Sequence, residues 1–416
     1  MALQHVHVVG AGLAGLAAGL SLVEAGVRVT LHDAAPHAGG RCRSYHDPVL
    51  DCRIDNGNHL LLSGNRATFA FLDQVGARDS LVGPSRALFP FMDLGTGDRW
   101  TLRPNRGPVP WWLLLPGRRV PGMRLSDALP TLRLRKAAAH ATVAGVLPPS
   151  ALYHRLFEPL AIAALNTMPD VGSARLLGAI VQETLAAGGG ACIPAVPRHG
   201  LSESFIDPAL AWLQARGAGL QLGSRIGALA TGNGRVTGLG NQALGPDEGV
   251  VLAVPAPVAG TLLPGLSVPT QFEAILNVHF KVDAVPHQGD LHEAGFMGLV
   301  GSIAEWVFVK PGIVSTTTSA GNRFLAMDTE AFAQQVWADV QRALQLPATM
   351  PPHRVVKEKR ATFAATPAQE ALRPPTRTSF TNLALAGDWT ATGLPATIEG
   401  AIRSGRAAAA TLQGFS

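Results

Sequence analysis

The chain has 416 residues, 47% hydrophobic and 15% charged, with 46 glycines and 31 prolines. That is too apolar for a disordered polymer and too long for one ordinary domain, so two domains, or one nucleotide-binding domain with a large insertion, are expected. The net charge of +5 comes without zinc-finger spacing, an RNA-binding aromatic signature or a lysine-rich tail, so no nucleic-acid partner is expected; three cysteines, Cys42, Cys52 and Cys192, with no CxxC pair, argue against a disulfide framework and fit a reducing cytosol.

The first predicted element is an apolar strand at 6–9, reached without the charged, apolar and cleavage regions of a secretory signal. Gly10-Ala-Gly-Leu-Ala-Gly15 turns it into an Ala/Leu-rich helix that Gly26 ends; a second strand follows at 27–31, and then Asp33. Strand, glycine turn, helix, strand and acid in this order are the grammar of a dinucleotide-binding βαβ unit. Gly10 permits the tight turn, Gly12 lets backbone N–H groups approach a pyrophosphate, and Gly15 allows close helix–strand packing. The helix start at Leu13 and Ala14 supplies partial positive charge. Asp33 accepts from ribose hydroxyls and disfavours a 2′-phosphate, so the nucleotide is FAD or NAD rather than NADP.

Gly39-Gly-Arg-Cys-Arg-Ser44 places Gly40 and Arg41 just after the second strand. An arginine there can grip a phosphate through its planar fork; the plainer reading is a solvated basic turn. Asp51-Cys-Arg-Ile-Asp55 has DxxxD spacing but no second acidic cluster to face it, and the histidines show no HExxH pattern, so no metal site is expected.

Between Arg99 and Lys136 nine basic residues stand against one acid, Asp127, with Trp100, Trp111 and Trp112 among them. Interleaved Arg, Trp and Leu suit an anionic leaflet; they also suit a Pro-rich, partly solvated surface. No apolar run approaches the length needed to span a bilayer, so the chain is expected to be soluble or membrane-peripheral. Further on, 224–229 and 233–238 read as a hairpin around Asn233-Gly234, and 249–255 as a buried strand ending at proline. A last strand, 382–388, ends in Gly387 and Asp388 and leads through Trp389 to a helix of small residues at 399–412.

The N-terminal GxGxxG with its acid, the GG-R motif and the late AGD strand resemble the FAD-dependent amine oxidase and carotenoid desaturase superfamily, from Val6 to Ala410. Four blocks narrow the likeness: Asp55-Asn-Gly-Asn-His-Leu-Leu-Leu62, Glu158-Pro-Leu-Ala-Ile-Ala-Ala-Leu-Asn-Thr167, Glu358-Lys-Arg-Ala-Thr-Phe-Ala364 and the run from Leu385 to Ala401. They resemble the squalene-associated flavoenzymes, the hydroxysqualene dehydroxylases of hopanoid biosynthesis. The resemblance implies an α/β, Rossmann-like FAD domain built from 1–85, 215–265 and 375–416, interleaved with an α+β substrate-binding domain from 86–214 and 266–374.

It also implies an FAD site that includes Gly57, Ile226, Gly387, Asp388, Thr397 and Ile398 besides the motif residues. Asp388 would accept from the ribityl chain, and the helix start at Thr397 and Ile398 would face the N1/O2 side of the flavin. The implied reaction is reductive loss of a hydroxyl from a C30 isoprenoid, aided by a proton donor, with FAD reduced by an electron donor the sequence does not identify. His59 is the candidate donor; alternatively it only hydrogen-bonds a neighbouring carbonyl or the flavin. Asn58 and Asn166 are candidate polar contacts, and Trp389 and Pro395 either wall the flavin pocket or pack under the helix. The rival readings are a carotenoid or phytoene desaturase, an amine oxidase, and a prenyl-binding carrier without redox activity. The expected location is the cytoplasm, peripherally on the inner face of the cytoplasmic membrane.

Overall fold

The computed structural model describes residues 3–283, 285 and 289–414. Short Val/Leu runs build a five-stranded parallel sheet in the order Gly219–Gln221, Arg28–His32, His5–Val9, Glu248–Leu252, Leu383–Leu385. A strand buried on both faces reads as a continuous apolar run, and Glu248–Leu252 does so from Gly249 onward. Helix Leu13–Glu24 lies against the closing helix Ile398–Gln413, and small residues make the approach close: a methyl on Gly405 would stand 2.1 Å from the Ala14 carbonyl oxygen. The expected hairpin forms between Leu229–Gly232 and Arg235–Leu239, with Asn233 and Gly234 both at positive φ as a two-residue turn requires.

The other half is a seven-stranded sheet in the order His353–Phe363, Phe272–Lys281, Ile313–Thr318, Trp306–Lys310, Phe296–Val300, Phe89–Asp93, Arg99–Leu102. Side chains alternate between its faces. Val307, Val309, Val314 and Val278 pack under helix Thr329–Leu344, whereas Trp306, Phe308 and Phe296 join a second core with helices Glu158–Leu165 and Ala174–Glu183.

One boundary differs from the sequence reading. Residues 194–214, assigned to the substrate half, pack on the nucleotide half: strand Pro194–Pro197 pairs with Leu61–Leu62 and Leu81–Val82, and Phe205, Ala209 and Leu213 enter the core under helix Leu13–Glu24. Gly19 leaves room on that helix for Leu213. The apolar face of helix Asp207–Gln214 has this partner, which linear order does not reveal.

Candidate functional site

The glycine turn is shaped by contacts that only glycine permits. Gly10 has φ +109°, and a methyl there would stand 2.4 Å from the Ala253 carbonyl oxygen; one on Gly15 would stand 1.8 Å from the Gly10 oxygen. Gly12 differs, because nothing lies within 4 Å of where its Cβ would be. The open space sits over the start of helix Leu13–Glu24, which has no side-chain cap and no acid in its first turn, so the helix presents positive potential at Leu13 and Ala14. Gly39 pairs with Gly12 backbone to backbone and brings Gly40 over the same turn.

Asp33 is fixed at one end of this cradle. Its carboxylate accepts from the N–H groups of Ala11 at 2.7 Å and Ala35 at 2.8 Å. The segment after Gly219–Gln221 docks alongside, with Ser224 N–H donating to the Asp33 carbonyl at 2.8 Å, and this brings half-buried Ile226 to the same end.

Arg41, expected on a phosphate, is held by Asp388: its Nη2 lies 2.7 Å from Asp388 Oδ2, and its Nη1 donates to the Ala361 carbonyl. Attraction to the mostly buried Asp388 carboxylate draws the guanidinium there and raises its pKa. The pair joins the Gly39–Gly40 turn, the late strand and the substrate sheet in one knot. Among the described residues no donor reaches Asp388 Oδ1.

Two residues that the sequence reading passed over hold the flanking loops. Buried Arg373 donates to the carbonyls of Asp388 (3.0 Å) and Leu394 (2.7 Å) and to Thr392 Oγ1 (2.8 Å), fixing the loop that leads to the closing helix. Burial lowers its pKa to about 10, so it stays cationic at neutral pH. Glu399, buried in the first turn of the closing helix, accepts from the N–H groups of Ala67 and Thr68 and so caps helix Arg66–Gln74. The closing helix itself starts at Thr397, whose Oγ1 accepts from Gly400 N–H at 3.0 Å, with Ile398 as its first residue. Gly387, at φ +141°, leaves space for the Trp389 indole, whose Nε1 donates to the Val254 carbonyl at 2.8 Å. Trp389 and Pro395 are buried, which fits packing beneath the helix.

The stretch from Asp55 to His59 runs between the two halves. Asp55 takes Ser44 Oγ (2.6 Å), Leu201 N–H (2.8 Å) and Lys310 Nζ (3.1 Å), which accounts for its burial as a charge. Asn56 Nδ2 reaches Glu358 at 3.3 Å. Gly57 is close enough to Asn277 that a methyl would stand 3.3 Å from its Nδ2. Asn58 Nδ2 donates to the Thr316 carbonyl and Thr317 Oγ1, both at 3.2 Å, and Thr317 Oγ1 donates to Asn277 Oδ1 at 2.9 Å. Thr317 is the register partner of Trp306, so this polar seam borders the aromatic face of the sheet directly.

His59 Nδ1 donates to the Gly57 carbonyl at 3.0 Å, and burial lowers its pKa from the ordinary 6.5. With Nδ1–H so used, the neutral ring carries its lone pair on Nε2. Asn166 is not a free polar contact: it caps helix Glu158–Leu165 at φ +49°, donates to Thr362 Oγ1 (2.9 Å) and the Glu273 carbonyl (3.3 Å), and accepts from Ala320 N–H (2.6 Å). An amide with both N–H donors and one oxygen lone pair spent on three partners ties the helix to the sheet.

In the basic segment Trp100 and Trp112 are buried, Trp100 stacking on Phe91, so of its three tryptophans only Trp111 is exposed. Apolar exposure nevertheless concentrates there. Seven of the ten exposed large apolar side chains among the described residues lie between Val109 and Leu132, with Leu132 at 72% and Leu129 at 66%. Arg106, Arg124, Arg133, Arg135 and Lys136 are exposed in the same segment. Among the described residues no helix is long and apolar enough to cross a membrane.

A family model described as flavin containing amine oxidoreductase matches residues 13–413. The chain is 47% identical to a hydroxysqualene dehydroxylase of Rhodopseudomonas palustris, over 98% of this chain and 97% of that protein. It is 46% identical to one of Sinorhizobium fredii over the same shares. Among solved structures, cyclohexylamine oxidase from Brevibacterium oxydans superposes with a TM-score of 0.71 at 16% identity, over 99% of both chains, which shows a shared fold.

Proposed function

Since this chain belongs to the flavin-containing amine oxidoreductases, in the family of the hydroxysqualene dehydroxylases, we propose that it removes the hydroxyl of hydroxysqualene reductively, giving squalene. The observation that carries this reading is near-full-length identity to the dehydroxylases together with a complete dinucleotide cradle. Its cofactor is FAD, and the residues fit that group. The space over Gly12 and the uncapped helix start admit a pyrophosphate, Asp33 stands at the ribose end, and Asp388 Oδ1 is available to a hydroxyl of the ribityl chain. The start of the closing helix at Thr397 and Ile398 offers positive potential to the ring system.

When bound and reduced, FAD supplies the hydride that replaces the hydroxyl. The protein's part is to bind, orient, exclude water and move one proton. A C30 hydrocarbon gains about 0.8 kcal/mol per buried CH₂, so affinity comes from apolar contact, for which Trp306 and Phe308, backed by the fully buried Phe296, supply an aromatic wall. The single hydroxyl needs a polar neighbour, and Asn58 and Thr317 border that wall. Hydroxide leaves an allylic carbon readily only as water, and His59 in its imidazolium form, steadied through Nδ1 on Gly57, is the group that delivers the proton from Nε2 and is left as the neutral ring.

A separate donor that docks transiently reduces the FAD. The exposed apolar and basic segment, 106–136, rests on the anionic inner face of the cytoplasmic membrane, where a C30 substrate dissolves. Anaerobic incubation of the reduced holoenzyme with hydroxysqualene should yield squalene by gas chromatography and mass spectrometry. A fully reduced preparation that leaves the alcohol untouched would overturn the assignment.

A further inference from the structure

One face of the nucleotide-binding sheet carries a cluster that the flavin chemistry does not use. His5 and His7 stand two residues apart on strand His5–Val9 and so share a face, while Val6 and Val8 point into the core under helix Leu13–Glu24. Glu248 is the register partner of His5 on one neighbouring strand; Thr30 and His32 are supplied by the other. His5 Nδ1 lies 2.9 Å from Glu248 Oε1, and His7 Nε2 lies 3.5 Å from the same oxygen.

The remaining ring nitrogens are also placed. His5 Nε2 is 2.9 Å from Thr30 Oγ1, and His7 Nδ1 is 3.0 Å from His32 Nε2. A metal-ligating imidazole characteristically donates its second N–H to an outer partner, which fixes the tautomer and turns the bare nitrogen to the ion. Both rings have such a partner here. The same tautomer leaves the lone pair of His7 Nε2 facing a carboxylate oxygen, and this nitrogen, on a side chain 1% exposed, has no hydrogen-bond partner. In that tautomer two lone pairs face one another, and a cation between them would serve both.

We propose that His5 Nδ1, His7 Nε2 and Glu248 Oε1 bind one divalent transition-metal ion, with zinc the best match to two imidazoles and a carboxylate. Tetrahedral zinc with bonds of about 2.0–2.1 Å holds its ligand atoms about 3.3 Å apart, a separation bracketed by the two distances to Glu248. The three ligand atoms lie within 4.8 Å of one another. Magnesium and calcium prefer all-oxygen shells and fit poorly. The His5 and Glu248 side chains, 17% and 19% exposed, open the site to solvent, so an ion can enter and a water can complete the tetrahedron. The ion would clamp strands that also carry Gly10 and Asp33, since the Gly10 N–H donates to the His32 carbonyl at 2.7 Å.

The test uses FAD-loaded protein freed of metal by a chelator and titrated with zinc by calorimetry, with cobalt as a visible probe, magnesium as a control and melting temperature as a second readout. One zinc per chain and a raised melting temperature are expected, with magnesium inert. His5→Gln and Glu248→Gln, at half-buried positions, should each weaken zinc by about tenfold or more while retaining the flavin spectrum; Cys52→Ser should bind as the parent does. His7→Gln removes the buried ligand, and its folding is checked by the same spectrum. Zinc binding undiminished in both His5→Gln and Glu248→Gln, or no binding to the parent at millimolar zinc, overturns the proposal.

Discussion

His59 is anchored by its own chain two residues back, and burial holds its pKa below 6.5. The imidazolium is therefore a minor species at pH 7 and gains population as pH falls. If it delivers the proton, turnover rises as pH drops below neutrality, and His59→Gln removes that rise and lowers kcat by about 10²–10⁴-fold. A wild-type profile flat across this range would reduce His59 to an anchor. Glu305 carries an opposite kind of shift: desolvation raises its carboxyl from 4.5 to about 7, only partly opposed by Ser319 N–H and Arg323. Between pH 4.5 and 7 the folded chain holds a proton that the unfolded chain releases, so stability falls as pH rises through this window, by on the order of 3 kcal/mol at most. Glu305→Gln stays neutral and keeps an acceptor for Ser319. Its melting temperature should exceed the parent's at pH 8 and match it near pH 4.5.

The closing helix shows what an element owes to its first turn. Thr397 caps it locally, so Thr397→Ala should cost about 1 kcal/mol in urea unfolding. Glu399 takes the Ala67 and Thr68 N–H groups, the Thr68 hydroxyl and Arg403 Nε, so Glu399→Ala strands two helix-start donors and should cost about 3 kcal/mol. The ordering of the two losses separates a local cap from a tertiary one. The small-residue helix was legible in sequence because composition is local, and its start near Thr397 was legible through the family resemblance. The Ala67 partner of Glu399, 332 residues away, was not. The same limit explains the distant partners of Asn166 and Arg41: Thr362 and Asp388 come from segments that linear order does not bring near them. The glycine turn was the most readable part, because much of its constraint is steric and local, as in the contact of Gly15 with the Gly10 carbonyl five residues back.

On the scale of the whole molecule, the exposed leucines and cations between 106 and 136 give the surface a polarity that net charge alone conceals. Replacing Leu129 and Leu132 together by Glu should lower binding to phosphatidylglycerol vesicles in flotation assays by about tenfold or more, since each removes apolar contact and adds repulsion. Raised salt should weaken the parent in the same assay. Equal flotation of parent and double variant would assign that face elsewhere. The strand order of the parallel sheet carries a consequence for synthesis. Its central strand pairs with Glu248–Leu252, which pairs in turn with Leu383–Leu385, so the glycine turn is made early but its sheet is finished only once Leu383–Leu385 has left the ribosome. At about 5–20 residues per second the nascent chain spends tens of seconds without a completed cradle, and FAD capture waits for the strand Leu383–Leu385 and the Asp388 that follows it.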